Sequence, residues 1–167
     1  MKIERSMHNA ISAADVYATS TSREFQERKC RAAGALSWHV TVEQGETGAI
    51  VRIKRTLPTD GFSGMLGKIL PAGILATETY TWGPVADDGS RTAQFTVEFH
   101  NVPASMKGTL RVVADGASAC TLVVDAVFKT RLPLVGAKIE GLAAPIIMSV
   151  IDADEATGQA WAAGDRY

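Results

Sequence analysis

Glu78 and Tyr80, two residues apart in the stretch from Ile74 to Trp82, are side chains whose types and spacing could do acid/base chemistry together. On a strand they share a face, because side chains two positions apart point the same way. A carboxylate on an inward face is pushed toward its neutral form by desolvation unless an arginine compensates, and then serves as an acid or a ligand anchor. The parity here is ambiguous: Leu75 opposes Tyr80 and Trp82, so Glu78 faces the interior only if the aromatics do. Tyr80 could donate a hydrogen bond to a ligand, although a core tyrosine with its hydroxyl at the rim is the commoner case. Two arginines sit on apolar parities, Arg55 with Ile53 and Arg5 with Ile3 and Met7. Each lies near a strand end, where the stem can follow apolar surface while the guanidinium reaches water. Asp154, at the edge of a helical stripe, reads as solvated.

Other chemistries find little support. His8, His39 and His100 fall on the polar parity of their strands and far apart, so they read as surface residues and no metal site is expected. Cys30 and Cys120 belong to no CxxC or Cys/His spacing and read as buried thiols. There is no GxSxG elbow and no paired Cys and His. The glycines of GFSGMLGK, from Gly61 to Lys68, lack the spacing and the Ser/Thr after lysine that a phosphate loop needs. No cofactor is implied.

The chain has 167 residues, 46% hydrophobic and 21% charged, with 17 basic against 18 acidic groups. That length suits a single domain over 1–167 that needs no disulfide or metal staple. A net charge near zero argues against a nucleic-acid partner. The N-terminal stretch MKIERSMHNA has no apolar h-region, which predicts a cytoplasmic protein. The most apolar run, Leu142 to Ile151, is ten residues long, too short to span a bilayer.

The elements that must position these groups are mostly short strands. Lys2 to His8 alternates as a half-buried strand. Ser12 with Asp15 resembles a capping box opening a short helix, and a second helix runs from about Ser22 to Ala33, ended by Gly34. Six strands follow in series: a hairpin from Leu36 to Arg55, a strand from Ile74 to Trp82, and strands marked by Phe95 to Phe99, Leu110 to Val112 and Leu122 to Phe128. Pro58 to Gly73, PTDGFSGMLGKILPAG, is the longest irregular stretch, and its Phe62, Met65, Leu66, Ile69 and Leu70 suit a lid.

Arg131 to Ala163 carries the longest helical pattern. At 100° per residue, Ile139, Leu142, Ala143, Ile146, Val150, Ala153, Thr157 and Trp161 share one face, with Glu155 well outside it. Pro145 lies inside the pattern, where it removes an amide bond to Gly141 and kinks the helix. Ala143, Ala153 and Thr157 are small for a core stripe. They fit either a core filled by bulky strand residues or a container with room inside. A meander with one apolar face must cover it, and only this helix is long enough.

This order of elements, together with PLVGAKIE (Pro133 to Glu140) leading into the long helix, resembles the START-like (SRPBCC) superfamily and, within it, an uncharacterised bacterial family of unknown function. The resemblance implies an α+β helix-grip fold: a curved antiparallel sheet of about seven strands around a long C-terminal helix, with two short helices after the first strand. It implies an apolar cavity between sheet and helix that takes a hydrophobic small molecule such as a lipid, quinone or polyketide-like aromatic. By parity the inward strand residues are Trp38, Val40, Ile53, Phe95, Val97, Phe99, Leu110, Val112, Leu122, Val124 and Phe128. With Glu78, Tyr80 and the helical Ile139, Ala143, Ile146 and Val150, all but Val112 form the expected ligand-binding set. The fold also hosts cyclase- and isomerase-type enzymes, for which Glu78 and Tyr80 would supply acid/base groups, and a filled-core interaction module is a third reading. Transient membrane contact is expected through the 58–73 loop.

Overall fold

A computed structural model describes residues 1–62 and 64–165, except for the side chain of Met65. The chain runs β1 (Lys2–Asn9), α1 (Ala13–Ser20), α2 (Arg23–Ala32), β2 (Ser37–Gln44), β3 (Ala49–Pro58), α3 (Gly64–Ile69), β4 (Gly73–Trp82), β5 (Arg91–Phe99), β6 (Ala104–Asp115), β7 (Ala119–Thr130) and α4 (Gly136–Ala162). All pairings are antiparallel, in the order β1-β7-β6-β5-β4-β3-β2. The meander supplies six neighbours in chain order, and β1 crosses to the far edge to pair with β7.

Local chemistry explains the two short helices. Ser12 Oγ accepts from the Asp15 amide at 3.1 Å and donates to the Asp15 carboxylate at 2.7 Å, and Ser22 Oγ accepts from the Phe25 amide at 3.4 Å. Both satisfy donors that a helix start leaves open. Gly34, at φ +67°, takes the left-handed conformation just past α2, where a side chain would be strained.

The strands alternate cleanly. Along β5, Ala93, Phe95 and Val97 are buried while Thr92, Gln94, Thr96 and Glu98 are exposed, so one face is apolar and the other meets water. Two helical covers share the concave face. On one side, α2 by β2 and α1 over β6 and β7 complete a packed cluster in which Val16 and Cys30 join Val40, Val51, Ile53 and Val112. On the other side, Ala143, Ile147, Met148 and Ile151 of α4 pack against a cluster containing Ile3, Phe95, Val97 and Phe128.

α4 is held at both ends: near its start Glu140 meets the Met1 amino group at 2.8 Å and accepts from the Thr130 amide at 3.0 Å, and its C-terminal half grips α2 and β1. Trp161 stands edge-on to Phe25 of α2 at 5.4 Å, Lys29 pairs with Asp154 at 2.6 Å, and Arg28 pairs with Asp165 at 3.0 Å. Arg5 of β1 reaches Asp152 at 2.8 Å and Glu155 at 3.3 Å. Pro145 lies in the other half, on an exposed turn of an otherwise continuous helix.

The 58–73 stretch differs from its expected irregular form. It contains a six-residue helix, α3, whose Leu66 is buried. The glycines at 61, 64 and 67 hide that helix from a propensity reading. The lid residue Met65 has its side chain outside the described residues.

Candidate ligand-binding cavity

Between the concave sheet face, α2, α4 and the 58–73 segment lies a cavity of about 660 Å³. From the expected set, Phe95, Val97 and Phe99 of β5, Leu110 of β6, and Leu122, Val124 and Phe128 of β7 line it. So do Glu78 and Tyr80 of β4, and Ile139, Ala143, Ile146 and Val150 of α4. Phe99, Leu110, Leu122, Val124, Ile146 and Val150 face inward yet are only half-buried. A side chain in a filled core has no such surface left; here it opens on the space inside.

Three expected residues do not line the cavity. Val40 and Ile53 are fully packed in the cluster under α1 and α2, so the cover formed by these helices takes the place a ligand would need. Trp38 lies directly across from Arg55, on the inner parity, but β2 is an edge strand and its first residues extend past the covered region, leaving Trp38 36% exposed. Val112, read as inward, is likewise sealed in that cluster. On α4, Leu142 and Ala153 are exposed while Ile147, Ile151, Asp154 and Glu155 reach the cavity. At 100° per residue the lining face is centred roughly 60° from the expected stripe.

The polar end of the cavity is where sequence reasoning fell furthest short. The ambiguous parity of β4 resolves inward for Glu78, Tyr80 and Trp82, with Leu75 outside at 47% exposure. Glu78 lies directly across from Ile53, which places Arg55, two residues along β3, diagonally opposite on the same face. Arg55 does not reach solvent. It is 8% exposed, Glu78 is 4% exposed, and Arg55 Nη2 meets Glu78 Oε1 at 2.5 Å. The Tyr80 hydroxyl donates to Glu78 Oε2 at 3.2 Å, so both oxygens of the carboxylate are engaged.

Asp154, read as solvated, also lines the cavity, paired with Lys29. Gln26, one turn before Lys29 on α2, is buried beside them; its Nε2 donates to the Ser20 carbonyl at 2.6 Å. Parity alone pointed to Arg55, but nothing in one sequence could bring Gln26 and Lys29 to the cavity, because that depends on how α2 docks.

These contacts set the ionisation of the site. Burial pulls the Arg55 guanidinium down, but Glu78 and then Asp154 oppose it and leave Arg55 above its ordinary value, firmly charged. Burial first, and the Glu78 charge second, hold the Tyr80 phenol well above its ordinary 10.0. Desolvation also raises the Cys30 thiol, making it an inert packing group. Both cysteines are free and buried. His8, His39 and His100 are exposed, and among the described residues no cluster of acidic, His or Cys side chains could hold a metal ion. Among them, too, no helix is long and apolar enough to cross a membrane.

The architecture recurs in solved structures. The chain is similar to the Zhui aromatase/cyclase from Streptomyces sp. R1128, with 11% identity over 96% of this chain and 94% of that one and a TM-score of 0.61. It is similar to a START superfamily protein from Mycobacterium smegmatis at 11% identity, covering 93% and 94% with a TM-score of 0.57. Norcoclaurine synthase from Thalictrum flavum, in complex with dopamine and hydroxybenzaldehyde, matches at 17% identity, covering 93% and 84% with a TM-score of 0.52. At such identities the likeness shows the fold, which is the START-like helix-grip. No curated protein matches the sequence. One family profile does match from residue 4 to residue 162, spanning the sheet from β1 onward, both short helices and all of α4, and the chain therefore belongs to the family described as Protein of unknown function (DUF2505).

Proposed function

We propose that the protein binds a hydrophobic small molecule, of lipid, quinone or polyketide-like size, between its sheet and α4. The observation that carries this reading is the 660 Å³ cavity with its half-buried apolar lining. A space of that size is left unfilled by the chain's own side chains, whereas a packed interior keeps few voids larger than a water molecule. Water needs polar partners, and most of the lining is apolar, so it suits an apolar guest. START-like neighbours that include an aromatase/cyclase and a synthase solved with small aromatic molecules support the same use of the fold. Two unpaired thiols fit the reducing conditions of the cytoplasm.

Native mass spectrometry of the gently desolvated protein, followed by organic extraction, tests the proposal. A stoichiometric adduct that extracts into solvent is expected; an apo mass whatever the expression host, with no uptake of added hydrophobic compounds, counts against it.

A cyclase- or isomerase-type enzyme is the second reading, favoured by Glu78 and Tyr80 reaching the cavity together. It is weaker because each group is already committed. One Glu78 oxygen is held by Arg55, and the other accepts the proton that Tyr80 would offer a substrate. A general base must have a free lone pair within reach of the proton it removes. The filled-core reading does not fit a space of this size.

Membrane contact during ligand exchange is a further part of the proposal. Ile69 of α3 is 52% exposed although it also borders the cavity, and Leu66 beside it is buried. Ile69→Asp should reduce co-sedimentation with vesicles. Leu66→Asp should impair ligand binding itself. Equal vesicle binding by wild type and Ile69→Asp removes the membrane contact.

A further inference from the structure

Among the described residues, each charged side chain that lines the cavity already has an opposite partner, and from this we infer that the ligand carries an uncharged polar head, a hydroxyl or carbonyl, on an otherwise apolar skeleton. The inference rests on the ligand-binding reading above and narrows its substrate class. Arg55 pairs with Glu78 at 2.5 Å and Lys29 with Asp154 at 2.6 Å. The remaining lining charge, Glu155, is met by Arg5 at 3.3 Å. A carboxylate or ammonium head entering this end would find no free counter-charge. To gain one it would have to open an existing pair and strand the displaced partner in a region with little water, the costliest way to lose a buried ion pair. A neutral head avoids that rearrangement.

Hydrogen-bonding capacity is nevertheless left over. The pair with Glu78 uses Nη2 of Arg55, and the buried Nε of the same guanidinium has no partner. Gln26 is 4% exposed and spends its Nε2 on the Ser20 carbonyl, while its Oε1 has no partner. One side chain comes from β3 and the other from α2, and both line the cavity. Besides Thr130 Oγ1, which also lines the cavity without a partner, the leftover set therefore holds a donor and an acceptor on side chains that are more than nine-tenths buried. A hydroxyl can serve both; a carbonyl can serve the donor. Small shifts of these side chains toward such a head would complete bonds that are costly to leave unmade, which gives a polar-headed ligand an advantage over a plain hydrocarbon.

The test uses displacement of the neutral dye Nile red by tetradecanol, tetradecanoate and tetradecylamine near neutral pH, three compounds that share a chain and differ in the head. Tetradecanol should displace the dye at a concentration roughly tenfold or more below either charged compound, since only the charged heads must break a pair. Replacing both members of a buried pair by apolar residues is commonly tolerated, so Arg55→Leu/Glu78→Leu should fold, and in it the alcohol should lose its advantage over tetradecane. Gln26→Leu, which keeps both ion pairs, should reduce that advantage as well. Tetradecanoate or tetradecylamine matching the alcohol on the wild type overturns the inference, as does an unchanged alcohol preference in both variants. If Nile red is not bound, or no compound displaces it, the ligand-binding reading itself fails and this inference falls with it.

Discussion

A single ion pair organises the chemistry of the site. Removing one member should be worse than removing both: Glu78→Gln leaves the Arg55 guanidinium buried without its counter-charge, and urea denaturation should register a loss of roughly 3–5 kcal/mol. Arg55→Leu/Glu78→Leu should lie near the wild type. Tyr80 adds a pH dependence. Its folded value is raised, by burial first and Glu78 second, so the fold holds the phenolic proton more tightly than the unfolded chain does. That contribution is complete below the ordinary 10.0 and is lost as pH climbs toward the raised folded value, where the unfolded phenol ionises first. Wild type should therefore lose stability relative to Tyr80→Phe between about pH 9 and about pH 11; a constant difference across that range would contradict the assignment. At this scale the sequence was half legible. Arg55 shared the parity of the apolar Ile53, which was visible, but the choice between solvent and interior depended on Glu78 lying diagonally across the strand pair, and Leu75 obscured the parity of β4.

Strands and caps were the most legible elements, because alternation and short side-chain bonds are local. The hairpin of β2 and β3, the Ser12 and Ser22 caps and the stop at Gly34 all stand where periodicity and capping chemistry place them. What failed was contact between distant elements: α3 within a glycine-rich stretch, and the rotation of α4. Two predictions belong to this scale. Pro145→Ala restores an amide to α4 at an exposed position and should raise stability by up to about 3 kcal/mol, read from the denaturation midpoint. Gly108 pairs with Ala126, and a Cβ at 108 would run into the Asp125 carbonyl oxygen and stand 2.7 Å from the Ala126 Cα. Gly108→Ala should thus lower the midpoint by forcing β6 away from β7. An unchanged midpoint would mean that the two strands can separate there without cost.

For the molecule as a whole, element order was enough to give the helix-grip, while the distinction between filled core and container was not in the sequence. Ala143 is small in either case, and its meaning depends on what faces it across the sheet. In the structure Ala143 borders an open cavity, and α4 forms one wall of it along most of its length, from Ile139 to Gly158. Substituting Ala143 thus addresses the central claim without touching the polar site. Nile red titrated into the wild type should bind one molecule per chain, and Ala143→Trp, which places an indole in the cavity, should weaken that binding roughly tenfold or more while the protein stays folded by circular dichroism. Equal dye binding by a folded Ala143→Trp would place the dye elsewhere and contradict the account of this cavity as the ligand compartment.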